Sequence, residues 1–261
     1  MVTLLLTLIA HTLADFLFQT HNVVTAKDRL QFSGFLTHGS LVFIILAGLL
    51  SGYHWLGVLL YSLIITAAHL TIDVLKALLI RNRSCRVELT GFIADQILHF
   101  LVILLVWQVF DLQPDSRITG IFSALITPKL VAVFGQSVSQ TGWSMTKVLG
   151  CVLAYLTVCW GGAVFIQKFL RIFPYHNDDG YNSSLKETGR YIGILERALI
   201  LTLVMNNSLT AVVFIFTAKS IARYNELNNR DFAEYYLVGT LLSTALAFGC
   251  GLIFGYLGKL I

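Results

Sequence analysis

Apolar stretches of about 17–25 residues alternate along the chain with short polar, charge-bearing segments, and that is the length needed to cross a hydrocarbon core of ~30 Å. The pattern predicts helices at roughly 2–20, 35–52, 55–79, 90–110, 146–171, 189–205, 208–224 and 236–258. All three prolines, Pro114, Pro128 and Pro174, fall outside these runs, where helix breakers belong. Residues 119–135 are apolar but short, with Pro128-Lys129 at their centre, and read as a surface-lying or re-entrant piece. Asn206-Asn207 divides a long apolar region into a helical hairpin. The expected fold is an all-α, polytopic transmembrane helix bundle of about eight spans, with seven as the alternative if that hairpin is one helix. It divides into a four-helix half at 1–110, a loop or interfacial segment at 111–145 and a second transmembrane half at 146–261.

Composition strengthens this picture. Apolar residues make up 56% and charged residues 12%, against roughly 45–50% and about 25% in soluble domains. A soluble protein would lack the polar residues to cover such a core. The N-terminal MVTLLLTLIA has no basic residue before its apolar run, which continues to His11 and Asp15 without a small-residue cleavage site, so it reads as an uncleaved first helix. Cys85, Cys151, Cys159 and Cys250 form no C-x-x-C pair and give no sign of a disulfide framework or thiolate zinc site.

The net charge of +4 calls for no nucleic-acid partner, because basic connections account for it. Lys27 and Arg29, then Arg81, Arg83 and Arg86, then Arg171, Lys186 and Arg190, then Lys219, Arg223 and Arg230 mark four connections. With eight spans all four fall on one side, which the positive-inside rule makes cytoplasmic.

The candidate chemistry lies in the first four helices. They carry His11-x-x-x-Asp15, His69-x-x-x-Asp73 and Asp95-Gln96-x-x-His99, with His38 near the start of the second. Residues four apart share a helix face, so each pair presents an imidazole beside a carboxylate. Counted from the cytoplasmic ends, His11, His69 and His99 all lie roughly 13–15 Å in, and Asp15, Asp73, Asp95 and His38 about 6–9 Å in. Because alternate helices run in opposite directions, one level requires the reversed order, Asp before His, found in the fourth helix. A carboxylate at such depth costs about 2.5–3.5 kcal/mol on insertion scales, so these groups face the bundle interior, paired or bound to a cation. Imidazole with carboxylate suits a divalent metal, zinc foremost, with manganese, iron or nickel as alternatives. His11, His69 and His99 are the expected ligands, with His38 added to the set. Asp15, Asp73 and Asp95 serve as ligands or as the catalytic base. Gln19, Gln96 and Lys76 lie on the same side as donors to those ligands, Lys76 being equally explained by snorkelling. His21, His54 and His176 fall in connections and receive no role.

In the second half, Glu196-Arg197 and the pair Lys219 and Arg223 lie toward the same side. They read either as ion pairs locking two helices or as a substrate-binding site for a phosphate or lipid headgroup. Tyr235-Tyr236 fits an interfacial aromatic belt, and Gly251 and Gly255 form a G-x-x-x-G face for close packing.

The motifs H-x-x-x-D-F, the lone His38, H-x-x-x-D and D-Q-x-x-H resemble an uncharacterised family of bacterial multi-pass membrane proteins, a domain of unknown function. GRYIGILERAL, TAKSIAR and AEYYLVGTLLS resemble the C-terminal half of its longer members, so the resemblance spans most of the chain except about 111–185. The H-x-x-x-D pairs are more distantly similar to predicted membrane-bound metal-dependent hydrolases. The bundle design also resembles the ceramidase-type lipid hydrolases, whose His/His pairs and serine this sequence does not reproduce. What the resemblance implies is a metal site in a bacterial inner membrane, with membrane lipid as surroundings.

The leading expectation is a metal-dependent hydrolase acting on a lipid or anionic amphipathic substrate near the cytoplasmic leaflet. The alternatives are an ion- or proton-coupled transporter or channel, and a metal-stabilised sensor or scaffold. Homo-oligomerisation is left open.

Overall fold

The computed structural model describes residues 1–80, 83–115, 145–173 and 183–260. The apolar runs become helices. They are α1 (Val2–Thr12), α2 (His21–Asp28), α3 (Phe32–Leu49), α4 (Trp55–Ile80), α5 (Cys85–Val109), α6 (Met145–Leu156), α7 (Gly162–Leu170), α8 (Ser183–Met205), α9 (Leu209–Ala222) and α10 (Arg230–Leu260). No strand occurs among the described residues. The protein is an all-α polytopic bundle.

Two spans are interrupted by a π-helical turn: Leu13–Leu17 continues α1, and Thr157–Gly161 joins α6 to α7. Among the described residues, five spans stand alone by length and apolarity: Phe32–Leu49, Trp55–Ile80, Cys85–Val109, Met145–Leu170 and Arg230–Tyr256. A sixth arises if Val2–Leu17 and His21–Asp28, bent by 88°, count as one. That is fewer than the eight expected, and the α8–α9 hairpin is the difference. The 14 residues of α9 extend only about 21 Å, and α8 carries Arg190, Glu196 and Arg197. The hairpin itself is as expected, with Asn207 at φ 56° making the turn. The segment 119–135 lies outside the described residues.

The chain forms two compact units, Met1–Arg83 with Thr90–Leu153, and Ser84–Leu89 with Ala154–Ile261. In the first, a core of Leu4, Ala10, Leu46, Val58, Tyr61 and Ile103 packs α1, α3, α4 and α5 together. Leu59, Leu60, Leu63 and Ile64 of α4, with Leu101 and Leu105 of α5, are exposed, while His38, His69, Asp73, Asp95 and His99 are buried. This inversion, apolar outside and ionisable inside, is what a bundle surrounded by lipid requires. The connections after α3 and α5 meet at one end, where the His54 and Asp115 amides donate to the Gln113 and Gly52 carbonyls at 3.0 Å each.

The segment between α1 and α3, read from sequence as a connection, folds instead as helix α2. It ends in a reverse turn with Leu30 at φ 58°. There the Gln31 amide donates to the Ala26 carbonyl and the Leu30 amide to that of Lys27, each at 2.9 Å. This is the pattern of a Schellman cap, with Leu30 in the position glycine usually fills. Gly34 lets α2 lie directly on α3, since a Cβ there would stand 2.7 Å from Ala26 Cβ and 2.9 Å from the Lys27 nitrogen. Gly39 does the same for α3 and α4, where a Cβ would meet Leu70 Cδ1 at 2.6 Å.

In the second unit, Ile200, Leu201, Val204, Val212 and Ala247 form the core between α8, α9 and α10. Gly251 serves packing within the chain, because a Cβ there would lie 2.7 Å from Val204.

Candidate metal centre

Each side chain of the site is delivered by a different local feature. Asp15 sits in the π-turn, whose Phe18 amide reaches back five residues to the Leu13 carbonyl at 2.9 Å. The wider turn rotates Asp15 away from the strict i, i+4 register with His11. His11 Nε2 therefore remains 3.9 Å from Asp15 Oδ2, and Asp15 Oδ1 turns to His38 and His69. His38 is brought to α4 by the close approach at Gly39, and His69 and Asp73 follow one another on the buried face of α4.

Four donor atoms converge. His38 Nε2 and His69 Nε2 are 2.9 Å apart. Asp15 Oδ1 lies 3.3 Å from each. Asp73 Oδ2 lies 3.5 Å from His38 Nε2 and 3.6 Å from His69 Nε2. A tetrahedral zinc ion with bonds of about 2.0–2.1 Å to nitrogen and oxygen has ligand–ligand edges of about 3.3–3.4 Å. The five distances bracket that value.

Hydrogen bonding explains the arrangement poorly. At most one ring hydrogen fits between the two Nε2 atoms, and Asp15 Oδ1 and His38 Nδ1 are buried without a hydrogen-bond partner. Such groups cost roughly 1–3 kcal/mol each when left unsatisfied. A divalent cation among the four atoms would satisfy Asp15 Oδ1 and relieve the crowding of the two Nε2 atoms, and two imidazoles with two carboxylates are a suitable donor set for it.

Around these four lies a second layer. Lys27 of α2 places Nζ 2.7 Å from Asp73 Oδ2. With its amide oxygen facing that ammonium, Gln19 accepts from Lys27 at 2.7 Å and donates to the Asp15 carbonyl at 3.2 Å. Lys76 Nζ is 2.7 Å from Asp95 Oδ2, so it is an ion-pair partner here. Gln96 donates to Asp95 Oδ2 at 3.1 Å and Asp15 Oδ2 at 3.5 Å, and its oxygen is 3.4 Å from His11 Nε2.

Of the residues expected from sequence, His11, His69 and His99 do come together. Their ring centroids are 5.3, 4.9 and 4.1 Å apart for the pairs His11–His69, His11–His99 and His69–His99. His99 is held by its own helix, with Nδ1 2.8 Å from the Asp95 carbonyl oxygen, and its Nε2 faces the His69 carbonyl at 3.4 Å rather than a carboxylate. His38, secondary in the sequence reading, lies at the centre. Two other triads have donor atoms within 4.8 Å of one another, His11–Asp15–His69 and Asp73–Asp95–His99. Sequence reasoning missed Lys27, taken as a loop charge. The signal was local: Val23 to Asp28 contains no helix breaker, and Gly34 follows at the spacing a packed reverse turn needs.

The candidate substrate residues lie in the second unit. Lys219 Nζ reaches Glu196 Oε2 at 2.5 Å, and Arg223 pairs with Glu226 at 3.0 Å. Arg197 points elsewhere. Its Nε and Nη2 donate to the Val158 and Cys159 carbonyls at 2.9 Å each, and its Nη1 to Ser243 Oγ at 3.3 Å. Those carbonyls belong to the π-turn, where the widened backbone leaves acceptors free for a side chain. The pair Glu196–Lys219 thus joins α8 to α9, and Arg197 braces the α6–α7 interruption. His21 opens α2, His54 lies in the α3–α4 connection, and His176 is outside the described residues.

No curated protein and no solved structure matches the chain. A family model does, over residues 3–125, described as a protein of unknown function (DUF3307). The segment that holds every residue of this centre is therefore similar to an uncharacterised family.

Proposed function

We propose that the chain is a membrane-embedded, metal-dependent hydrolase whose divalent ion, zinc foremost, is held by Asp15, His38, His69 and Asp73. The observation that carries this reading is the convergence of four donor atoms, with Asp15 Oδ1 and Asp73 Oδ2 each 3.3–3.6 Å from two imidazole nitrogens that are themselves 2.9 Å apart. Charge supports it. Asp15, Asp73 and Asp95 face Lys27 and Lys76, which with neutral imidazoles leaves one negative charge in a buried site. A divalent cation turns that into one positive charge, and a single anion then balances it. Hydroxide and a singly charged substrate headgroup both fit.

When bound, the ion supplies Lewis acidity and brings the pKa of a coordinated water toward ~7. Asp95 is the carboxylate left outside the four-atom set. Its Oδ1 has no hydrogen-bond partner, and its donor oxygen lies within 4.8 Å of those of Asp73 and His99. It is placed to accept the proton of an attacking water. Lys76 and Gln96 hold its other oxygen and keep it oriented. The substrate is a lipid or another amphiphile, because the bundle that holds the site presents an apolar outer surface.

The test is hydrolysis by metal-loaded protein in mixed vesicles spanning phospholipids, sphingolipids and isoprenoid esters, with products followed by mass spectrometry. Asp95→Asn is expected to keep the metal and lose turnover by about 10²–10⁴-fold. Loaded wild-type protein that is inert across the panel, together with a His69→Ala strain that behaves as wild type in cells, would end the hydrolase reading.

A further inference from the structure

The four-atom set is closed off from its surroundings. The side chains of His38, His69 and Asp73 are 0%, 3% and 3% exposed, and that of Asp15 is 9% exposed. A divalent ion sheds its hydration shell before it reaches them. A centre this deep therefore requires an entry path whose side chains replace the waters in turn.

Two further groups of donors lie beside the centre, and they differ in one respect. The group His11, Asp15 and His69 shares two of its three members with the four-atom set, so an ion held there has hardly left the centre. The group Asp73, Asp95 and His99 shares only Asp73. Its three donor atoms lie within 4.8 Å of one another, and His99 Nδ1 is 3.6 Å from Asp95 Oδ1. Ligands bound to one ion at about 2.0–2.2 Å stand at most about 4.4 Å apart. A group of this spread suits passing contact rather than tight binding.

Asp95 gives a separate reason to place a cation here. Its side chain is 1% exposed and its Oδ1 has no hydrogen-bond partner, a costly state for a buried carboxylate oxygen. Its Oδ2 is held by Lys76 Nζ at 2.7 Å. Lys76 is the more exposed of the two lysines at the site, 31% against 12% for Lys27, and it lies one turn from the end of α4. The Phe92 ring stands 5.8 Å from its ammonium, near enough to attract that charge as it leaves Asp95. An arriving dication can thus take the place of the ammonium without leaving Asp95 uncompensated.

We propose that Asp73, Asp95 and His99 form a way-station through which the divalent ion enters and leaves the four-atom centre. The ion displaces Lys76, is held by Asp95 and His99, gains Asp73, and passes with Asp73 to His38, His69 and Asp15. Because Asp73 serves both positions, they hold one ion between them. Once the ion has passed, Lys76 returns and Asp95 Oδ1 is again free to accept a proton. Only bonds to the ion form and break. The inference rests on the metal centre proposed above and not on hydrolysis.

The experiment follows zinc on the full chain in detergent by stopped flow, as uptake from a chromogenic chelator and as release to excess EDTA. His99→Ala and Asp95→Asn should each slow uptake and release together by about tenfold, since a lost ligand raises the barrier in both directions. Kd, the ratio of the two rates, should be nearly unchanged. A merely supporting role would speed release, leave uptake alone and weaken Kd. The station is also visible once the centre is disabled. His38→Ala should bind cobalt weakly, with d–d absorption only in large excess of the ion and none after desalting, and His38→Ala with His99→Ala should lose that absorption. Wild-type rates in both single variants overturn the proposal, as does an unchanged cobalt signal in the double variant. Wild type that takes up no zinc overturns centre and station together. Slowed exchange in variants of a protein inert toward lipid supports the station and counts only against the hydrolase reading.

Discussion

Replacing Lys27 by methionine separates what α2 contributes to folding from what it contributes to metal binding. Lys27 Nζ lies 2.7 Å from Asp73 Oδ2, with side chains 12% and 3% exposed. Removing one partner of a buried ion pair costs about 3–5 kcal/mol, because the other charge is left uncompensated. The partial exposure of the ammonium and the nearby Gln19 reduce that to about 2–3 kcal/mol. At about 2–4 °C per kcal/mol for a chain of this size, the metal-free variant in detergent should melt about 5–10 °C below metal-free wild type. A divalent ion takes over compensation of Asp73, so saturating zinc should close most of the gap. At about 100 times Kd it also contributes roughly 2.7 kcal/mol to either protein. The assay is a pair of melting curves for each protein, with chelator and with zinc. A metal-free variant that melts with wild type would refute the buried pairing. A deficit that zinc leaves untouched would refute the assignment of Asp73 as a ligand.

Four further outcomes follow from the packing. Gly34→Ala forces a Cβ to 2.7 Å from Ala26 Cβ and should cost about 1–3 kcal/mol. Gly48→Ala, with nothing within 4 Å, should be neutral or slightly stabilising in the same melts. Gly39→Ala meets only the end of the Leu70 side chain, so the fold should survive while α3 shifts from α4 and zinc affinity falls about tenfold, read by competition with a chromogenic chelator. Arg197→Met should destabilise the chain by about 2–4 kcal/mol, since the Val158 and Cys159 carbonyls lose their donors, yet leave metal content unchanged.

The span positions were legible because lipid imposes a length and a polarity on them, and α3, α4 and α5 follow the apolar runs closely. Helix α2 was not, because Lys27, Asp28 and Arg29 look like a topology-setting connection when the turn at Leu30 and the contact at Gly34 are unseen. The site was legible as a set: regular His/Asp spacing and a reversed order in α5 are consequences of antiparallel helices meeting at one level. Which imidazoles lie nearest Asp15 and Asp73 was not legible. Spacing favoured His11 and His99, which belong to i, i+4 pairs, over His38, which has no carboxylate on its own helix. Two features that spacing does not encode decide it, the π-turn that rotates Asp15 and the glycine contact that sets α3 against α4. The second half is similar. Glu196, Arg197, Lys219 and Arg223 share a level in sequence, but the π-turn at Thr157–Gly161 draws Arg197 away from the others.

The most direct test of the central claim is metal content by mass spectrometry on purified wild type, His38→Ala, His69→Ala and His99→Ala, each after reloading with zinc. The four-atom centre requires about one equivalent in wild type, its loss in His38→Ala and His69→Ala, and its retention in His99→Ala. Stoichiometric metal in folded His38→Ala, or none in folded and reloaded wild type, would contradict it.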